Sequence, residues 1–180
     1  KAPVVEVGHY HLENANSDKV DNAILHNKIL PEIPNYQTYQ NYINKGGYSK
    51  FNSIKSSKDK WYANIIKADL RGLGGAGFRT AKKWELVSKE KGPRYLAVNG
   101  DEGEPGTFKD KYYLETEPHM FLEGVLMASY AISAKKCFIY IRDEYPAILK
   151  ILKNEINKLE KGKIIASNFV DIRRGAGAYI

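Results

Sequence analysis

Between residues 95 and 172 the chain alternates short apolar runs with longer amphipathic ones, and this order limits its fold more than any other feature. Tyr95-Leu96-Ala97-Val98 lies between Gly92-Pro93 and Asn99, the length and punctuation of a buried strand. Residues 120–134 read as a helix and residues 137–141 as a second strand. Residues 145–161 place Ile148, Leu149, Leu152, Ile156 and Leu159 on one helical face, and Phe169-Val170-Asp171-Ile172 reads as a third strand. Strand, helix, strand, helix, strand at these lengths predicts an α/β fold, a parallel sheet flanked by helices. Ligands of such sheets bind beyond the carboxyl ends of the strands, where Asn99-Gly100-Asp101-Glu102 stands.

Upstream, residues 58–70 carry Trp61, Ile65, Ile66 and Leu70 at helical spacing, and residues 80–89 form a second helix with Trp84 and Val87 inward. Between them runs Arg71-Gly72-Leu73-Gly74-Gly75-Ala76-Gly77-Phe78, whose glycines let the backbone approach a ligand and adopt φ values that a Cβ forbids. A helix that starts just after them aims unpaired N–H groups into the loop, a place for phosphate; an ordinary tight turn fits the same letters. The dinucleotide fingerprint needs a strand before its glycines, and a helix stands there instead. Residues 1–56 read as an extended arm with a short helix near residues 36–45, and residues 57–180 as the α/β domain. His9 and His11 share a side if the arm is extended, but no third ligand has matching spacing, so they read as solvent-facing.

The formal net charge of +7 raises nucleic acid as a ligand, yet the lysines are dispersed among acids and form no basic stripe, which argues against it. An anionic small ligand or an acidic partner accounts for the charge as well. Residues 120–134 are too short to span a membrane and carry Glu123, and no secretory leader precedes the domain, so a cytoplasmic protein is expected. The single cysteine, Cys137, excludes an intrachain disulfide and any cysteine-held cluster built from these residues alone; inside an apolar run it reads as a packed thiol.

Residues 99–110 concentrate Asp101, Glu102, Glu104 and Asp110 just past a strand. The spacing does not follow a calcium loop, and Pro105 interrupts it. Asn99 and Asp101 suit the polar edges and hydroxyls of a bound ring system, and Glu102 or Glu104 can accept from a ribose or a ring N–H. Lys83 shares a helical face with Thr80 and either meets a phosphate or stays an exposed charge; Phe78 either seals the core or offers a stacking surface. These residues alone also allow a non-redox nucleotide-binding or scaffold module.

Five blocks in order carry a resemblance: residues 70–78 with Lys83-Trp84, residues 99–110, Glu123-Gly124, residues 140–145, and Gly175-Ala176-Gly177-Ala178-Tyr179-Ile180. Together they resemble the FMN-binding part of the NADH-binding flavoprotein subunit of respiratory complex I, a module shared with NAD-reducing hydrogenases and NAD-dependent formate dehydrogenases. The resemblance implies a Rossmann-like fold in which Gly72, Gly74, Gly75 and Gly77 surround the flavin and its phosphate side and Lys83 contacts the cofactor. It implies that Asn99, Asp101 and Glu102 hold the isoalloxazine and ribityl groups, that Phe78 stacks on NADH, that Glu104 hydrogen-bonds the dinucleotide, and that Tyr179 lies near the flavin. NADH then gives hydride to FMN, which releases electrons singly to iron–sulfur clusters, with neither a covalent nucleophile nor a catalytic metal in these residues.

The same resemblance implies a 4Fe-4S cluster in a carboxyl-terminal part beyond Ile180, so the sequence is expected to stop inside its fold. It implies as partners a thioredoxin-like two-iron ferredoxin subunit and further iron–sulfur subunits, in a complex peripheral to the inner side of a membrane, or on the matrix side in mitochondria. Three positions depart from the pattern: Leu73 stands where arginine is usual, Arg79 where a small residue or proline is common, and Gly103 where a side chain is common. Arg79 is expected to bring its charge to the same pocket.

Overall fold

A computed structural model describes residues 2–73 and 75–177. The sheet at its centre has three strands, β3 (Arg94–Gly100), β4 (Ala134–Ile141) and β5 (Val170–Arg174), following a separate amino-terminal hairpin of β1 (Val4–Val7) and β2 (Tyr10–Glu13). Eight helices complete the described chain: α1 (Ser17–Leu25), α2 (Tyr39–Asn44), α3 (Ser49–Ser56), α4 (Lys58–Lys67), α5 (Thr80–Lys89), α6 (Lys109–Thr116), α7 (Pro118–Ala131) and α8 (Pro146–Lys161).

The sheet runs β3-β4-β5 with both pairings parallel, Ile139 facing Val98 on one side and Ile172 on the other. Helix α7 packs on β3 and β4, α8 on β5, and the two helices on each other, so both cover one face. Cys137, Ile139 and Ile141 of β4 point into that layer and are fully buried, with Ile148, Leu152 and Leu159 of α8 above them. Burying each such aliphatic side chain is worth about 1.5–3 kcal/mol. Proline opens both α7 and α8, where its missing N–H costs nothing. The last residue of β3, Gly100, is a glycine at a close approach: a Cβ there would meet the Ile141 side chain at 2.6 Å and the Tyr140 carbonyl at 3.0 Å. The packed thiol expected for Cys137 is found, its pKa pushed up to about 11 by burial.

Four expectations need correction. The extended arm with one short helix is instead a hairpin and three helices; the alternation in Val4-Val5-Glu6-Val7 and Tyr10-His11-Leu12-Glu13 is the period-two signal of half-buried strands. The run at 95–98 belongs to an edge strand whose side chains alternate, with Tyr95 50% exposed. In α4 only part of the apolar stripe turns inward: Trp61 stacks on Trp84 at 5.8 Å, whereas Ile66 and the following Leu70 are exposed. Helix α6 has no counterpart among the expected elements, because charged residues hide its one buried side chain, Leu114. His9, half-buried, and His11, exposed, lie beside Glu6, and among the described residues no group of three or more ligands is arranged for a metal. No described helix is long and apolar enough to cross a membrane.

Candidate functional site

The glycine loop projects between α4 and α5. Arg71 and Arg79 form an isolated antiparallel bridge, in which Gly72 N–H donates to the Phe78 carbonyl at 3.0 Å and Thr80 N–H to the Leu70 carbonyl at 2.8 Å. Asp69 clasps the base, accepting from Arg71 Nε and Arg79 Nε at 2.9 Å each. The hydrogen bond from Arg71 and the charges of both arginines hold its carboxyl below the usual range. Arg79, expected to bring its charge to the ligand pocket, has its guanidinium paired with Asp69 at the loop base. Gly75 and Gly77 take φ +96° and +57°, and a Cβ on either would meet nothing within 4 Å, so these positions combine left-handed backbone with open space. Leu73 is fully exposed and Phe78 is 52% exposed, so Phe78 does not seal the core.

Helix α5 begins at Thr80, and Arg79 at its N-cap supplies no side-chain acceptor; the Thr80 N–H is taken by the Leu70 carbonyl, which leaves those of Ala81 and Lys82 able to meet an anion. Lys82 and Lys89 are tied to Glu85, whereas Lys83 is exposed and unpaired among the described residues. Gly74 and Tyr179, both expected at the flavin, lie outside the described residues.

The second segment leaves the carboxyl end of β3. Asn99 Oδ1 accepts from Asp101 N–H at 2.9 Å, an Asx turn that lifts the chain out of the sheet. Asn99, Asp101 and Glu104 are exposed, as a ligand-facing set requires. Glu102 is 5% exposed. Its carboxylate accepts from Asp110 N–H at 2.9 Å, Lys111 N–H at 3.0 Å and the Tyr145 hydroxyl at 3.1 Å. Phe108, the N-cap of α6, offers no acceptor, so Glu102 caps that helix from outside. Burial opposes the charge, but the two backbone N–H groups, the Tyr145 hydroxyl and the Lys109 ammonium outweigh it and keep Glu102 below its ordinary pKa.

A groove of about 640 Å³ runs along β3 from Leu96 to Asn99 and Gly100, walled by Tyr113 of α6 and Gly124 of α7. Its walls are mainly apolar with polar groups at the Asn99 end, the composition of a site for a flat ring with polar edges. The glycine-loop base borders a different depression, of about 570 Å³, between α4 and α5. Among the described residues no hydrogen bond or ion pair joins residues 71–79 to residues 99–104; the fold brings the acidic segment to the sheet edge and holds the glycine loop on its own pair of helices.

The donor set fits FMN. Open backbone, an uncapped helix start and Lys83 suit a phosphate; Asn99 and Asp101 suit ring edges and hydroxyls. The carboxylate of Glu102 is the misfit, being filled by α6 and Tyr145.

Sequence reasoning assigns no role to the groups that hold segments in place. The carbonyl of Glu102 accepts from Arg142 Nη1 at the end of β4, and Glu144 grips that guanidinium with bonds of 3.0 and 2.9 Å. The hydrogen bonds from Arg142 hold Glu144 down at about 2. On the far side of α7, Glu123 accepts from Tyr48 N–H and Phe51 N–H at 3.2 Å each and from the Tyr42 hydroxyl at 2.5 Å. Glu155 accepts from the Tyr36 hydroxyl, Tyr39 N–H and Lys158, and pairs with His119 Nε2 at 2.8 Å. A glutamate in the apolar run 120–134 is the available signal, since a buried carboxylate must find donors.

Comparison with known proteins places the chain in a family. An NADH-quinone oxidoreductase subunit of Aquifex aeolicus (strain VF5) is 43% identical over 156 residues, covering 82% of this chain and 37% of that protein. The mitochondrial NADH dehydrogenase (ubiquinone) flavoprotein 1 of Dictyostelium discoideum is 39% identical over 144 residues, 74% of this chain and 30% of its own length. The chain thus spans about a third of the length of such relatives. Among solved structures, an NAD+-reducing NiFe-hydrogenase in the air-oxidized state superposes with a TM-score of 0.72 at 26% identity, covering 99% of this chain and 34% of that one. The family described as Nuo51 FMN-binding domain matches residues 65–180, which contain both segments of the site. The chain belongs to the Nuo51 FMN-binding domain family.

Proposed function

We propose that the chain is the FMN- and NADH-binding part of an oxidoreductase that moves electrons between NADH and the iron–sulfur centres of a larger assembly. Family membership over residues 65–180 carries the reading, because that span includes every site residue named from the sequence. When bound, FMN supplies the conversion between hydride and single electrons. The protein's task is to bind and orient.

In this reading Gly72, Gly74, Gly75 and Gly77 let the backbone close on the phosphate side, and the α5 start and Lys83 balance its charge. Asn99 and Asp101 hold the ring and ribityl groups, with Tyr179 near the flavin. Glu102, filled by α6 and Tyr145, serves the flavin by fixing the loop that presents Asp101. Phe78 and Glu104, both exposed, meet the dinucleotide. Residues 57–180 form the binding domain, and electrons leave through a 4Fe-4S cluster and a thioredoxin-like two-iron ferredoxin partner, in an assembly peripheral to a membrane.

The full-length protein should be yellow and should bleach on addition of NADH. With FMN saturating, Glu104→Gln should raise the KM for NADH about three- to tenfold and leave FMN affinity unchanged, whereas Asp101→Ala should release FMN. A colourless protein that binds no added FMN sinks the reading. Unchanged NADH kinetics in Glu104→Gln, together with loss of FMN, reverses the division of roles.

A further inference from the structure

The run Tyr140-Ile141-Arg142-Asp143-Glu144-Tyr145 belongs to the resemblance but receives no task from it. In the fold it leaves the end of β4, adjacent to β3 and directly beside the loop that β3 launches. Two of its side chains converge on one residue of that loop from different sides. Arg142 Nη1 donates to the backbone carbonyl of Glu102, and the Tyr145 hydroxyl donates to Glu102 Oε2. Glu144 holds the guanidinium through Nε and Nη2, which aims the remaining donor, and the Arg142 guanidinium also lies over the Tyr145 ring at 5.3 Å. The carboxylate end of Glu102 is fixed in turn by α6.

We propose that Arg142, assisted by Tyr145, is a positioning residue for the flavin-side loop, setting the path of residues 101–104 without touching the cofactor. This rests on the functional reading above. Asp101 precedes Glu102 and Glu104 follows it by two, and neither exposed carboxylate has a long-range hydrogen bond among the described residues. Their direction therefore depends on how Glu102 is held. A trans peptide points its C=O and N–H oppositely, so a guanidinium on the Glu102 carbonyl also sets which way the Gly103 N–H faces. Gly103 has no Cβ to restrict that plane, which makes an external anchor more valuable here than at a substituted position. A planar fork held by a carboxylate suits this task better than an ammonium, whose donors rotate.

The test uses the full-length protein carrying Arg142→Ala, Arg142→Lys or Tyr145→Phe. FMN affinity is read by flavin fluorescence after reversible removal, and KM and kcat for NADH are read with ferricyanide at saturating FMN. Arg142→Ala should weaken FMN binding about tenfold and raise the KM for NADH severalfold, with kcat within about twofold. Arg142→Lys, which keeps one donor for the carbonyl, should recover to within about threefold of wild type. Tyr145→Phe should weaken FMN binding about threefold. Wild-type FMN affinity and KM in Arg142→Ala overturn the proposal; if that variant does not fold, the same result in Tyr145→Phe does so. A loss confined to kcat also overturns it, because it would make Arg142 a group acting in the reaction. Failure of the wild-type protein itself to bind FMN or react with NADH defeats the functional reading instead, so the two failures are distinct.

Discussion

Two segments lie outside the sheet and are fastened to it in opposite ways. Residues 36–51 are held on α7 and α8 by Glu123 and Glu155, carboxylates that are 8% and 0% exposed and accept from backbone N–H groups and tyrosine hydroxyls. Residues 70–79 are held by Asp69, whose bonds to Arg71 and Arg79 are open to water. The buried fastening works by making any other arrangement leave polar groups unsatisfied in a dry interior, which imposes one geometry. The exposed one works by a short ladder and screened charges, and water replaces either at little cost. Support for the core is therefore rigid, whereas the loop that would close around a ligand can adjust.

The sharpest way to break this contrast is to remove one buried acceptor. Glu123→Ala strips the partner from Tyr48 N–H, Phe51 N–H and the Tyr42 hydroxyl together, and should destabilise the protein by about 3–5 kcal/mol. Urea unfolding monitored by tryptophan fluorescence measures it. A loss below about 1 kcal/mol would mean that water reaches this site, and the two fastenings would no longer differ in kind.

Acid should act on the buried side in the same direction but less abruptly. Burial keeps His119 neutral below its ordinary pKa despite Glu155, so Nε2–H donates to Glu155 and Nδ1 accepts from the Tyr48 hydroxyl at 2.8 Å. Burial opposes ionisation of Glu155, yet the bonds from Lys158, His119, Tyr36 and Tyr39 N–H leave it below the usual glutamate range. Both native pKa values lie below those of the unfolded chain, so the unfolded state binds more protons as pH falls. Stability from His119 is complete above about 6.5 and declines below it, and that from Glu155 declines below about 4.5. The thermal midpoint should drop between pH 7 and pH 5, and His119→Gln should flatten that slope. A slope unchanged by the substitution would place the acid sensitivity elsewhere.

The contrast also explains what can be read from the sequence. Apart from α6, the strands and helices from residue 94 to 174 are legible because burial writes itself as periodicity: all five inward positions assigned to residues 145–161 are buried in α8. Of the loops, the sequence shows the conformation: Gly75 and Gly77 take the left-handed backbone that glycine permits, and Asp101 and Glu104 stand exposed past the strand end. The pairings that hold them are not legible. Glu123 meets Tyr48 across 75 residues, and Arg142 meets Glu102 across 40, distances at which no local pattern operates. Helix α6 is hidden for a related reason, because its start is capped by Glu102 rather than by a residue at its own N-cap.

The smallest expected effect on stability tests the exposed fastening. Asp69→Asn keeps a hydrogen-bond acceptor but removes the charge shared by Arg71 and Arg79, and the backbone bonds of Gly72 and Thr80 still close the loop. The thermal midpoint should move by less than about 2 °C, since surface ion pairs add little. Ligand binding should respond differently. Without the Asp69 charge, the two guanidiniums at the base of the glycine loop add uncompensated positive charge beside the position where a phosphate is proposed to sit. FMN affinity at low salt should then rise by about twofold or more, and the gain should vanish as ionic strength increases. An equal shift in stability and affinity, independent of salt, would show that Asp69 shapes the loop mechanically, as Glu123 shapes the segment before it.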